Sequence, residues 1–268
     1  MLGLLIYDKE GYKRNLWFIN HLIELGEEKG VELKLVLDKE VDTVLKECSP
    51  SFIWVRTINP DLSKRLEEQG YKVINNATTS LICNDKYLTY LFFEKNGFNC
   101  LETSLLDRTP FYFPVVIKAR AGHGGSEVYL CNNLDEYRNF FNNIYKYVHQ
   151  PLCDEVGVDM RLYMIGNECV AAMKRTNPND FRSNFSLGGK AEQVNPPLDV
   201  VKQAQQITSL LKSDFIGIDF IRHHGEWILN ELEDSAGSRM LYSNTNIDIA
   251  ELLIDYLKNI KEDKHEHS

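Results

Sequence analysis

At 268 residues, with 43% apolar and 26% charged side chains, the chain has the make-up of a soluble globular protein large enough for two or three lobes. A formal net charge of −9 speaks against general nucleic-acid binding, which needs a basic stripe to displace counterions. No apolar run approaches the roughly 20 residues that span a bilayer. The six cysteines form no C-x-x-C pair, which argues against zinc or dithiol redox chemistry and suits the cytoplasm.

Residues 3–7 read as a buried first strand; the short N-terminal apolar stretch lacks the basic start and cleavage site of a signal peptide. A helical stripe over 12–29 carries Tyr12, Leu16, Ile19 and Ile23. Alternation at Val31, Leu33, Leu35 and Leu37 predicts a strand, as do 52–55 and 73–74, with a helix over 61–69 ending at Gly70. Residues 1–80 thus read as a small α/β lobe. One helix is expected from Asn84 to about Asn96, then strands near 114–119 and 127–131 joined by a glycine-rich loop. Asn133 and Glu136 form a capping box for a helix presenting Leu134, Tyr137, Phe141 and Ile144. Long strands follow at 159–165 and 168–174, then a polar stretch over 177–197 that reads as one long loop. A helix from Asp199, strands 216–221 and 226–233 around a turn at His223-His224-Gly225, and a helix from Asp248 to about Ile260 complete the chain.

Three constellations could carry chemistry. The loop Gly122-His123-Gly124-Gly125 can aim backbone amides at anionic oxygens, although a flexible hairpin turn would look the same. Lys118, four residues earlier among apolar neighbours, needs a partner, and a phosphate would serve. In the strand Asp159-Met160-Arg161-Leu162-Tyr163-Met164, period two puts Met160, Leu162 and Met164 on the core side and Asp159 with Arg161 on the other. That second face is either a solvated ion pair or a site where Asp159 meets a ribose and Arg161 approaches phosphates. Glu231 and Glu233 share a face, and an odd number of intervening residues would place Asp219 opposite them. Three such carboxylates repel one another unless a cation compensates, and all-oxygen ligands suit Mg²⁺. An exposed acidic sheet is the alternative, which the apolar neighbours of Asp219 oppose.

The order of these features, with Asn84-Asp85-Lys86, Asp180-Phe181-Arg182-Ser183-Asn184, Gly188-Gly189, Gly217-Ile218-Asp219-Phe220 and residues 230–237 (N-E-L-E-D-S-A-G), resembles the RimK-like, glutamate-ligase-type branch of the ATP-grasp superfamily over residues 50–260. The resemblance implies an α/β, α+β-lobed ATP-grasp fold with an N-terminal pre-ATP-grasp α/β domain (1–83) before the ATP-grasp domain (84–268), the latter divided into a small nucleotide lobe (84–149) and a large metal lobe (150–262). It implies a carboxylate–amine ligase that uses ATP with Mg²⁺ or Mn²⁺ and passes through an acyl phosphate. The carboxylate and amine would come from small molecules or peptides, with no nucleic acid or membrane partner and a homo-oligomer open. A small-molecule kinase and an ATP-binding regulatory protein are the alternatives. By residue, Lys86, Lys118 and Arg161 would meet phosphates under Gly124, Gly125 and Ser126. Gln150, Pro151 and Leu152 would read adenine at an interlobe hinge, and Asp159 would hold the ribose. Arg182, Ser183 and Asn184 would contact phosphates, with Arg182 and Asn184 catalytic, and Asp219, Glu231 and Glu233 would hold the metal. Arg56 would face substrate. The sequence departs from the family pattern at Glu233, where asparagine is usual, at Asp234-Ser235-Ala236-Gly237, and at Glu127. The histidines show no metal-ligand spacing, and only His123 lies in a candidate site.

Overall fold

The computed structural model describes residues 1–122, 125, 127–183 and 188–260. Strand β1 (Leu2–Tyr7) is an unbroken apolar run and pairs in parallel with β2 (Glu32–Leu37) and β3 (Phe52–Val55). Strand β4 (Val73–Ile74) adds beside β3, giving the order β2-β1-β3-β4. Helix α1 (Lys9–Lys29) starts three residues before the apolar stripe does, because the Asp8 carboxylate accepts from the Gly11 amide at 2.7 Å and caps it; Gly30, at φ 79°, closes it. The segment between β2 and β3 holds a 3-10 turn and the short α2 (Val41–Val44). Helix α3 (Pro60–Glu68) has Asn59 as its cap and proline in its first turn, where a missing N–H costs nothing. Leu62 and Leu66 pack on Leu4, Ile6, Ile53 and Val55.

A helix that was not expected, α4 (Ala77–Cys83), capped by Asn76, precedes the one expected from Asn84, which is α5 (Lys86–Lys95), capped by Asp85, whose carboxylate accepts from the amides of Tyr87 and Leu88. The Asn84 side chain turns back to the Ser80 carbonyl, 2.8 Å away, so the cap falls to Asp85. A second sheet, in the order β5-β8-β6-β7, comprises β5 (Ser104–Leu105), β6 (Val115–Ala119), β7 (Val128–Cys131) and β8 (Tyr147–Pro151). The segment read as a hinge at 150–152 therefore begins inside a strand, with Gln150 opposite Val116. Helix α6 (Leu134–Arg138) is shorter than expected; Phe141 lies on a following 3-10 turn and the buried Tyr137 anchors the helix.

The third sheet is antiparallel, in the order β11-β10-β9-β12-β13, from β9 (Val158–Ile165), β10 (Glu168–Thr176), β11 (Lys190–Gln193), β12 (Phe215–His223) and β13 (Glu226–Glu233). Strand β11 lies inside the stretch read as loop. It is a polar edge strand with no apolar alternation to announce it, and it is held by backbone pairing from Met173↔Gln193 to Thr176↔Lys190. Helix α7 (Leu198–Leu211) covers one face of this sheet, packing with Met160, Leu162, Met164 and Phe220. The opposite face shares a core with the first sheet: Tyr163, Ile165 and Phe215 pack with Leu5, Trp54 and, from α9 (Ile249–Asn259), Leu253. Between them α8 (Arg239–Asn244) adds Met240 and Leu241.

Two local devices fix where the central side chains point. A two-residue turn at His224 and Gly225, both at positive φ (51° and 77°), joins β12 to β13. A β-bulge then inserts Asn230, moving the pairing from Phe220↔Leu229 to Asp219↔Glu231 and Gly217↔Glu233. Leu229 and Leu232 can thus both enter the apolar layer while Glu231 and Glu233 share the face of Asp219.

The sheets are joined by Asn75, a buried residue just after β4. Its Oδ1 accepts from the Asp214 and Phe215 amides at 2.6 and 2.9 Å, and its Nδ2 donates to the Phe215 carbonyl at 2.6 Å and to Asp234 Oδ1 at 2.7 Å. Asn75→Ala is expected to cost about 2–4 kcal/mol of stability, because several buried partners lose their bonds together. Urea unfolding measures it; a loss below about 1 kcal/mol would mean that water takes the clamp's place.

Candidate active site

A cleft of about 860 Å³, solvent mouth included, opens between the second and third sheets, large enough for a small-molecule ligand. One wall carries Lys118 from β6 and Lys86 from the first turn of α5; the other carries Asp159 and Arg161 from β9, Arg175 from β10, Asp219 from β12, and Asn230, Glu231 and Glu233 from β13. Strand alternation explains the gathering. Inward-facing positions of β9 on the α7 side are apolar, and Asp159 and Arg161 are the polar residues of its other face.

The charges are interlocked. Arg161 forks onto Asp219, with Nε and Nη2 each 2.6 Å from a carboxylate oxygen, and also reaches both Glu233 oxygens at 2.7 and 2.6 Å. Arg175 forks onto Asp159 at 2.5 and 2.6 Å and reaches Asp219 Oδ2 at 2.9 Å. Across the cleft, Lys118 donates to Asn230 Oδ1 at 2.9 Å and to Glu231 Oε1 at 3.1 Å; Lys86 lies 3.6 Å from the other Glu231 oxygen and donates to the Gly122 carbonyl at 2.5 Å. Asp159, Asp219, Glu231 and Glu233 thus face Lys86, Lys118, Arg161 and Arg175, four charges of each sign.

Burial alone would push the Asp219 carboxyl up, but Arg161 and Arg175 outweigh it and hold the group well below the usual carboxylate range. Glu231 is raised by burial and lowered by more through Lys86 and Lys118, ending below its ordinary value. Burial leaves Glu233 above its ordinary value, with Arg161 offsetting only part of the cost. The expected mutual repulsion of three carboxylates is therefore relieved within the chain, by arginines at Asp219 and Glu233 and by lysines at Glu231.

The remaining candidates line the rim. Gln150, Pro151 and Leu152 lie along the end of β8, with the Gln150 side chain turned away to Thr103 at 2.8 Å. Arg182 pairs with Asp180 at 2.7 Å and donates to the Gly125 carbonyl at 3.0 Å, joining the segment after β10 to the glycine-rich loop; Ser183 lines the same cleft. His123, Gly124, Ser126 and Asn184 lie outside the described residues. Glu127 holds Lys146 at 2.5 Å at the edge of the loop. Sequence reasoning missed Arg175 and Asn230. The buried position of Arg175 in β10, next to Asp159 in register, was the available signal for the first; the bulge that turns Asn230 inward leaves none.

The donors Asp219, Glu231 and Glu233 are all carboxylates on one wall, the chemistry of a hard divalent cation site. Asp219 and Glu233 already converge on one cation, the Arg161 guanidinium. A metal of the Mg²⁺ class held there would have to share its ligands with Arg161.

A family model described as the RimK-like ATP-grasp domain matches residues 100–257. The chain belongs to that family. An uncharacterized protein, MG011 of Mycoplasma genitalium, is 30% identical over 89% of this chain and 86% of its own. The glutamate–LysW ligase ArgX of Sulfolobus acidocaldarius is 28% identical over 72% of this chain and 75% of its own. A D-alanine–D-alanine ligase from Bacillus anthracis, solved with ATP, superposes with a TM-score of 0.74 at 13% identity, covering 98% of both chains, and shares the fold. The RimK-like chain is thus a member of an ATP-binding ligase family with an ATP-grasp fold. No helix among its described residues is long and apolar enough to cross a membrane.

Arg175→Met in this RimK-like protein strands the buried Asp159 and takes from Asp219 one of its two arginines, and should cost about 3–5 kcal/mol at neutral pH. The folded-state pKa of Asp219 is depressed, so the stabilisation it draws from its arginines is present above the ordinary aspartate value of about 3.9 and is lost as the pH falls below it. The gap between wild type and variant in chemical denaturation should accordingly narrow on acidification; a gap that stays constant to pH 3 would contradict the electrostatic account.

Proposed function

We propose that this protein is an ADP-forming, ATP- and Mg²⁺-dependent carboxylate–amine ligase that makes an amide bond through an acyl phosphate. The observation that carries the reading is the pair of facing walls, Lys86 and Lys118 on one and the carboxylates of β12 and β13 on the other, in a chain whose relatives include an amino-acid ligase. In this reading residues 1–83 form the substrate-facing lobe, with the nucleotide held between 84–149 and 150–262.

Asp219, Glu231 and Glu233 would hold Mg²⁺, which when bound screens the negative charge of the phosphates. Lys118 and Lys86, now spent on Glu231, would turn to phosphate oxygens when the carboxylate takes a metal. Arg161 would gain phosphate as its partner in the same exchange. Pro151 has no N–H, so the Leu152 amide is the backbone donor offered to an adenine at the end of β8. Asp159 and Ser183 would face the ribose. A substrate carboxylate oxygen attacks the γ-phosphorus and ADP leaves; the amine then attacks the acyl carbon and phosphate leaves. Arg182, held between Asp180 and the Gly125 carbonyl, would carry charge at the transferring phosphoryl group; the family resemblance assigns Asn184 the same role and Gly124 and Ser126 to the phosphates, and exclusion of water would protect the acyl phosphate.

Arg56 supplies the substrate end. It follows β3, beside the carboxyl end of β1, the point where the parallel sheet grows in opposite directions and where such sheets bind ligands. Its guanidinium lies 5.3 Å from the Trp54 ring and 5.8 Å from the Phe18 and Phe215 rings, and Nε donates to the Tyr7 hydroxyl at 3.3 Å. One terminal nitrogen, Nη1, is buried with no hydrogen-bond partner among the described residues. Ser235, two residues past Glu233, donates to the Arg56 carbonyl at 3.4 Å, linking this arginine to the carboxylate strand. A carboxylate of an amino-acid substrate, such as the glutamate in the relative's name, would complete it.

Screening amino-acid pairs for ADP release, with mass spectrometry of products, identifies the substrates. Glu231→Gln should then lower ATP-dependent turnover by at least about 100-fold with an unchanged melting temperature; full turnover would remove the metal assignment. Arg56→Met should raise KM for the carboxylate substrate by about 10–100-fold and leave KM for ATP within about twofold. An equal rise in both would deny Arg56 its place at the substrate.

A further inference from the structure

The strand pair that carries Asp219 and Glu231 ends in the turn at His224 and Gly225. Against this turn lies the linker 152–157, which leaves β8 through Leu152 and Cys153, both lining the cleft, and enters β9 just before Asp159. Asp154 of that linker meets two adjacent histidines. Its Oδ1 lies 3.4 Å from His223 Nδ1 and its Oδ2 3.1 Å from His224 Nδ1, and the His224 amide donates to Oδ2 at 2.8 Å. The Asp154 amide donates, at a long 3.4 Å, to His223 Nδ1, so that nitrogen presents a lone pair. The left-handed backbone of His224, at φ 51°, brings its ring alongside that of His223, with centroids 4.0 Å apart.

We propose that Asp154, His223 and His224 form a transition-metal site, of the Zn²⁺ class, that fastens the linker after β8 to the β12–β13 turn. One donor atom from each residue lies within 4.8 Å of the other two. A tetrahedral zinc ion with bonds of about 2.0–2.1 Å sets its ligand atoms about 3.3 Å apart; Asp154 turns one carboxylate oxygen to each ring, Oδ1 at 3.4 Å and Oδ2 at 3.1 Å, both near that spacing. Two imidazoles and one carboxylate leave a fourth position for water. The donor chemistry separates this site from the cleft: imidazole favours zinc, nickel and copper, whereas the all-oxygen set at Asp219, Glu231 and Glu233 favours magnesium. The site is partly exposed, with His224 open to solvent and His223 half-covered, so a metal can enter without unfolding the turn. A metal here would hold the linker leading to Leu152 and Cys153 against the hairpin that carries the acidic wall. The inference does not depend on the ligase reading.

The full chain without an affinity tag, titrated with Zn²⁺ against a chromophoric chelator, decides it. The sequence also carries His265 and His267, a second possible source of binding. The expected result is about one Zn²⁺ per chain, kept in H265Q/H267Q and weakened at least about 10-fold in both H223Q and D154N, with unchanged melting temperatures of the metal-free variants. Visible absorption of the Co²⁺-loaded protein should show tetrahedral bands in wild type that H223Q lacks. Absence of binding at micromolar zinc, binding lost only in H265Q/H267Q, or binding retained in H223Q and D154N would each overturn the site.

Discussion

The forked contact between Arg161 and Asp219 is the constraint around which the cleft is arranged. A carboxylate in the middle of a sheet that is apolar on its other face cannot stay ionised without a partner, and here it has two, because Arg175 also reaches it. Each arginine then has another carboxylate to satisfy, Glu233 for Arg161 and Asp159 for Arg175, so strands β9, β10, β12 and β13 are tied laterally by charge as well as by backbone pairing. Such a chain of buried ions adds little net stability, since desolvation offsets the attraction. What it does is hold four strands' worth of side chains in one geometry.

This arrangement changes the meaning of the glutamate at position 233. As an isolated third acid it would add one more negative charge to a metal site. In the structure its charge is met by both terminal nitrogens of Arg161, so these charges balance when the arginines of this wall are counted with the lysines facing it. The departure from the family's usual asparagine comes with its own counter-charge.

Much of the fold was legible because it rests on periodicity. The apolar runs of β1 and β3, the alternation in β9 and the caps at Asn133 and Asp248 all act through neighbours close in sequence. The failures came where distant partners decide. Strand β11 has no apolar face, and only pairing with β10 makes it a strand. Helix α4 was missed, and its cap Asn76 is held by the carbonyls of Leu211 and Lys212, 135 and 136 positions away. In the candidate site, the shared face of Asp219, Glu231 and Glu233 could be anticipated from spacing, with the parity of the connection left open. The partners of those acids could not: Arg175 belongs to another strand, and whether an arginine in β10 faces solvent or an aspartate depends on register.

The inserted residue at Asn230 is the one place where β13 carries slack. Taking it out would leave Leu229 opposite Phe220 and Glu231 opposite Asp219 in plain alternation, so the acidic face would survive and only the amide that meets Lys118 would go. Taking out Leu232 instead would turn Glu233 toward Met160 and Phe220. Along this strand, descendants of the sequence can shorten it at the bulge but not beyond.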